Sequence, residues 1–109
     1  MKQQKRRIKH DIMAQDAVRI ASGWLWKNLP DRFGPADPKF DAQSQRWRVP
    51  VVLAYPELTA GEVGEIVVDG SSGDIVAHTD LAEMSAAGLK LGRKHRAKVR
   101  AAFLRARNA

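Results

Sequence analysis

Cysteine is absent from the 109 residues. Its absence excludes disulfides, thiolate zinc sites and iron–sulfur clusters, and it suits a reducing compartment. Long apolar runs are absent as well. No window approaches the roughly 18 residues of a membrane-spanning helix. The opening "MKQQKRRIKHD" leads into no apolar stretch of the kind a secretory signal requires. The expectation is a cytoplasmic chain without a membrane span. Histidine is scarce: His10, His78 and His95 fall on separate segments, and no pair has the i, i+4 spacing of a helical zinc site.

Acid is missing from both ends. Residues 1–9 carry Lys2, Lys5, Arg6, Arg7 and Lys9 with no Asp or Glu. Residues 90–109 carry Lys90, Arg93, Lys94, Arg96, Lys98, Arg100, Arg105 and Arg107, again with no acid. All 12 acidic residues therefore lie between the two ends. The net charge of +7 thus hides an acidic body with two basic ends. Charge blocks can serve only to keep a chain soluble, but such segregation also points to an acidic partner.

Periodicity outlines a single domain. In "DIMAQDAVRIASGWLWKNL", residues 11–29, Met13, Ala14, Ala17, Val18, Ile20, Ala21, Trp24, Leu25 and Leu29 share one face at 100° per residue. Pro30 stops the helix. Gly23 weakens it, and its small size is expected to admit a strand or Trp47. Trp26 falls on the polar side beside Arg19. It is either an exposed partner anchor or covered by the segment that follows. Residues 30–44, rich in Pro, Gly and Asp, read as a loop pinned by Phe33 and Phe40. Alternation then marks strands at 45–55, with Trp47, Val49, Val51, Leu53 and Tyr55 inward, and at 62–69 and 74–79. Pro50 suggests an edge strand or a bulge. "DLAE" reads as a capping box, with Asp80 as N-cap and Glu83 three residues on. It opens a short helix to about Ala87. A basic helix at 93–107 follows, with a narrow apolar stripe of Val99, Ala102, Phe103 and Ala106.

The stretch "GEIVVDGSSGDIVAHT", residues 64–79, is the obvious place to look for chemistry. "DGSSGD" lies between two strand patterns, whereas a phosphate loop joins a strand to a helix. Asp69 and Asp74 do not have calcium-loop spacing. The sequence reads as a hairpin, with Gly70 and Gly73 supplying positive φ. Ser71 or Ser72 with His78 lacks an orienting acid and an oxyanion hole. His78, Asp80 and Glu83 are better used as strand end and helix cap than as metal ligands. No local pattern announces a catalytic, metal or cofactor site.

The same stretch resembles the second hairpin of a PepSY-type domain, in which Gly-X-Val-Val-Asp-X-X-X-Gly-X-Val follows a helix and a Trp-X-Val-X-Val strand. Trp47, Val49 and Val51 match the strand. Gly64, Ile66, Val68, Asp69, Gly73 and Ile75 match the hairpin. The resemblance covers residues 11–80 and implies a small α+β module without catalytic residues that binds or inhibits. Members of that family are usually extracytoplasmic and found beside proteases or in membrane proteins. The basic C-terminal helix is not part of the pattern.

The expectation is therefore an α+β domain spanning residues 1–109. It would have a basic arm at 1–10, a PepSY-like core at 11–80 and a basic helical tail at 81–109. One long helix would pack on a three- to four-stranded antiparallel sheet. The chain is expected to be non-enzymatic, without cofactor, and to hold a protein partner or its own copy. Arg93, Lys94, Arg96, Lys98, Arg100, Arg105 and Arg107 are the candidate partner contacts, with Phe103 as apolar anchor and Trp26 as a further candidate. Two targets stand open. An acidic protein groove would be plugged by an Arg-rich helix, in the layout of antitoxins that silence nucleases. Alternatively, nucleic acid would be bound without sequence preference through its phosphates.

Overall fold

The computed structural model describes residues 11–108; the basic arm at 1–10 lies outside them. The fold is a mixture of helix and antiparallel sheet. In chain order it comprises α1 (Ala14–Asn28), β1 (Phe33–Pro35), β2 (Lys39–Asp41), β3 (Arg46–Tyr55), β4 (Leu58–Asp69), β5 (Ile75–His78), α2 (Leu81–Lys94) and α3 (Arg96–Asn108). The sheet runs β1-β3-β4-β5, with β2 also on β3, and every pairing is antiparallel.

The expected three- to four-stranded meander is a five-stranded sheet, because the Pro-rich segment 30–44 is not all loop. Phe33–Pro35 pairs with Val51–Leu53, and Lys39–Asp41 pairs with Arg46–Arg48. The two short strands lie end to end on one side of β3. Pro50 sits at the break between them, where its carbonyl accepts the Ala36 N–H at 2.8 Å. In an antiparallel strand the N and O of a residue point the same way. The missing proline donor therefore faces the interruption, and the β4 side of the ladder is untouched. On that side the register slips between Val51 and Val52 and again between Leu53 and Ala54. Such bulges increase local twist.

Residues with odd numbers on β3 face the helices, as alternation requires. Trp47, Val49, Val51 and Leu53 join Ile66 and Val68 of β4, Ala17, Ala21 and Leu25 of α1, and Met84 of α2 in one core. The indole N–H of Trp47 donates to the Ile12 carbonyl at 2.7 Å, which ties the approach to α1 onto the sheet. At the start of α1, the Asp16 carboxylate accepts the Met13 N–H at 2.9 Å. That bond, and then Arg19, hold the Asp16 carboxyl below its ordinary value. Gly23 admits neither a strand nor Trp47: it is exposed, and a Cβ there would meet nothing. Gly23→Ala should therefore raise stability by about 0.5–1 kcal/mol, measurable by urea denaturation.

The Asp69–Asp74 loop is a hairpin turn. The Asp69 N–H donates to the Asp74 carbonyl at 2.8 Å, and the Gly73 N–H donates to the Asp69 carbonyl at 3.0 Å. The Asp69 carboxylate accepts the N–H groups of Ser71 and Ser72. Gly73 has the positive φ the turn needs, at 81°, but Gly70 does not. The backbone of Gly70 instead links the turn to Ile12 and Gln45. The N–H of Ser72, then that of Ser71, hold the Asp69 carboxyl below its ordinary value. A carboxyl lowered in the fold stabilises it above the unfolded value, and that contribution is lost as pH falls through the folded one. Stability should therefore drop below about pH 4, and Asp69→Asn should flatten that drop in urea melts across the acid range.

Two helix boundaries also differ from expectation. Asp80 is the residue before α2, but its side chain makes no capping hydrogen bond, so the box with Glu83 does not form. α2 does not stop near Ala87; it continues through Gly88 and Gly92 to Lys94. Gly88 is required there by packing, since a Cβ would lie 2.6 Å from the Phe33 ring. Among the described residues no helix is long and apolar enough to cross a membrane.

Candidate functional site

The basic C-terminal segment is not a free tail. His95 interrupts the helix for one residue, and α3 then folds back against the tip of the β3–β4 hairpin. Ala102 is buried and Val99 half-buried. Phe103 packs edge-on against Tyr55, centroids 5.7 Å apart. The Arg32 guanidinium lies 4.7 Å above the Phe103 ring and 5.7 Å from that of Tyr55. Arg105 reaches Glu57 at 3.7 Å, an exposed pair that contributes about 0–1 kcal/mol. Glu57 is held in the left-handed region, φ 57°, by the tight Pro56-Glu57 turn.

The remaining faces of α3 are solvent-exposed. At 100° per residue, Arg96, Arg100 and Arg107 line up beside Phe103. Lys98 and Arg105 lie on the far side. Between these cationic rows runs a second apolar stripe of Ala97, Ala101 and Leu104, with Leu104 47 % exposed. Arg93, Lys94, Arg96, Lys98, Arg100 and Arg107 are all exposed. Among the described residues none of these six has an ion-pair partner. The first turn of α3 contains no acid. Arg96 and Lys98 stand near the end of the helix where the backbone dipole disfavours cations, by typically about 0.3–1 kcal/mol each.

Alongside this helix lies a groove of about 520 Å³. Phe33, Leu53 and Tyr55 give it an apolar lining. One wall is α2, with Ser85 and Leu89, where Gly88 is buried against the Phe33 ring and Gly92 leaves bare backbone. Arg32, Arg93 and Arg96 also line it, and among the described residues no acid does. A Cβ on Gly92 would be 3.6 Å from the Tyr55 hydroxyl, an ordinary contact. Packing therefore does not require glycine at Gly92 as it does at Gly88.

The structure thus brings Arg93, Lys94, Arg96, Lys98, Arg100, Phe103, Arg105 and Arg107 onto one continuous surface. Phe103 is 39 % exposed and already engaged with Tyr55, so it seats α3 as much as it offers an anchor. Trp26 is 78 % exposed and uncovered by the 30–44 segment. It stands on α1, whose packing is with β1, β3 and β4. His78 stacks on Trp24 with centroids 4.4 Å apart, and its Nδ1–H donates to the Thr79 carbonyl. The Ser72 hydroxyl accepts the Asp74 N–H within the turn. Among the described residues no group of three or more His, Asp or Glu is placed to hold a metal ion.

Sequence reasoning missed the groove and the second stripe of α3. The stripe has a signal, Ala97, Ala101 and Leu104 at i, i+4 and i+7, though two alanines are faint against so much charge. The groove has none, because its walls come from three separated segments. No protein-family model, curated protein or solved structure matches the chain.

Proposed function

We propose that the chain is a non-enzymatic binding module that presents α3 to an acidic protein surface. The observation that carries this reading is the row structure of α3: cations on both sides of an apolar stripe, of which Arg96, Lys98, Arg100 and Arg107 have no ion-pair partner among the described residues. Small residues at Ala97 and Ala101 allow a partner helix or groove wall to approach closely. Flanking cations would repel a second copy of α3 and favour acids beside the apolar contact. The helix followed by hairpins in residues 11–80 supports a PepSY-like scaffold under this arm. The narrower form of the proposal is an antitoxin-like inhibitor that lays Arg96, Arg100 and Arg107 over the carboxylates of a nuclease.

Nucleic acid is the second reading, favoured by the acid-free surface of α3. The two differ in their use of the stripe, since phosphates do not contact it. Leu104→Ala should weaken an acidic amphipathic helical peptide about tenfold, as much as Arg100→Ala does. It should leave affinity for duplex DNA unchanged. Fluorescence anisotropy on the full chain across a salt series measures both. Tight DNA binding with a steep salt slope, together with indifference of the peptide to Leu104→Ala, would overturn the protein reading.

A further inference from the structure

The groove beside α2 offers apolar walls with cations around them. Phe33, Leu53 and Tyr55 supply the apolar surface; among the described residues Arg32, Arg93 and Arg96 are the only charged ones lining it. Its volume of about 520 Å³ falls within the range of sites that enclose a ligand. Two features keep it open. Arg32 is drawn onto the Phe103 and Tyr55 rings and not across the groove. Gly92 retains no side chain where one would fit, although glycine is a poor helix former. Leu89, 62 % exposed, stands at the lip with no cover among the described residues.

We infer that this groove is an anchor pocket for one large apolar side chain of an acidic peptide segment. The side chain would enter beside Phe33, against the bare backbone of Gly92. Carboxylates on either side of it would meet Arg32, Arg93 and Arg96. Charge complementarity chooses this occupant. A purely apolar segment would leave three guanidiniums beside it without counter-charges, and a purely acidic one would leave the apolar lining wet. Arg93 and Arg96 belong both to the groove and to the basic surface of α2 and α3, so the anchor would share a partner with α3. The inference rests on the acidic-protein reading of that helix.

The test uses the full chain and two labelled short peptides, each a run of Glu and Asp with a single central phenylalanine or a single central alanine. The phenylalanine peptide should bind at least about tenfold more tightly, the gain expected from burying the ring. Gly92→Leu should fill the groove, abolish that preference and leave the alanine peptide's affinity unchanged, with circular dichroism verifying the fold. Should that variant not fold, methyl resonances of Leu53 and Leu89 in the wild-type chain should shift with the phenylalanine peptide and not with its twin. Equal affinity of the two peptides overturns the pocket and leaves the acidic-partner reading standing. A preference that survives Gly92→Leu in a folded variant, or methyl groups that do not respond, also overturns the pocket. Failure of both peptides to bind, with or without binding of a single-stranded oligonucleotide, overturns both readings.

Discussion

Ile66→Ala is expected to remove about 3–5 kcal/mol of folding free energy. Ile66 is fully buried in the middle of β4, paired with Val49 on one side and His78 on the other. Truncation takes away the transfer free energy of the lost methyl groups and leaves a cavity. The cavity cannot close easily, because two of the three buried α1 residues in this core are Ala17 and Ala21, which have no side-chain length to move into it. A chain of this size is stable by about 5–15 kcal/mol, so one substitution would consume a large share. The transition midpoint should fall by roughly 15 °C or more. Trp47 supplies the readout: its indole is buried and bonded to Ile12, and its emission should shift when that contact breaks. Val76→Ala, at an exposed position on β5, is the control and should change stability by less than about 0.5 kcal/mol.

Arg96→Glu, Arg100→Glu and Arg107→Glu made together are expected to weaken an acidic protein partner by at least about 100-fold, since each reversal replaces an attraction with a repulsion. The folded chain should tolerate the change. These side chains are exposed, and among the described residues none has an acid to lose. At Arg96 a glutamate also suits the helix start better than a cation does. Lys98→Glu alone should have a smaller effect on the far side of the stripe. Titration calorimetry at low and at physiological salt, with a urea melt of each variant, separates loss of recognition from loss of structure. Unchanged affinity in a folded triple variant would sink the role assigned to α3.

The elements most legible in the sequence are those whose period is set by one buried face. β3 alternates cleanly because Trp47, Val49, Val51 and Leu53 all meet the same core. α1 reads clearly because Ala17, Ala21 and Leu25 recur at four-residue spacing. The Asp69 turn announces itself through Asx chemistry and Gly73. By contrast, β1 and β2 are three residues each, too short for a period, and exist only because β3 has a free side to pair with. α2 looks broken at Gly88 until Phe33, more than 50 positions earlier, is placed against it. The basic residues were visible by composition alone. Their arrangement into rows around Ala97, Ala101 and Leu104 depends on which face of α3 the hairpin tip covers, and that is a tertiary fact.

His95 joins α2 to α3 with one residue outside helical geometry, at φ −110° and ψ 26°. Its N–H closes α2 on the Leu91 carbonyl, and its carbonyl opens α3 by accepting the Val99 N–H. α3, with 13 residues, is about 20 Å long. A change of about 20° in its direction would carry the Arg107 end about 6–7 Å, against the burial of Ala102, the packing of Phe103 on Tyr55 and Arg32, and the Arg105–Glu57 pair. Any reorientation of α3 would thus turn on His95, with the Arg107 end travelling furthest and α2 and the sheet least.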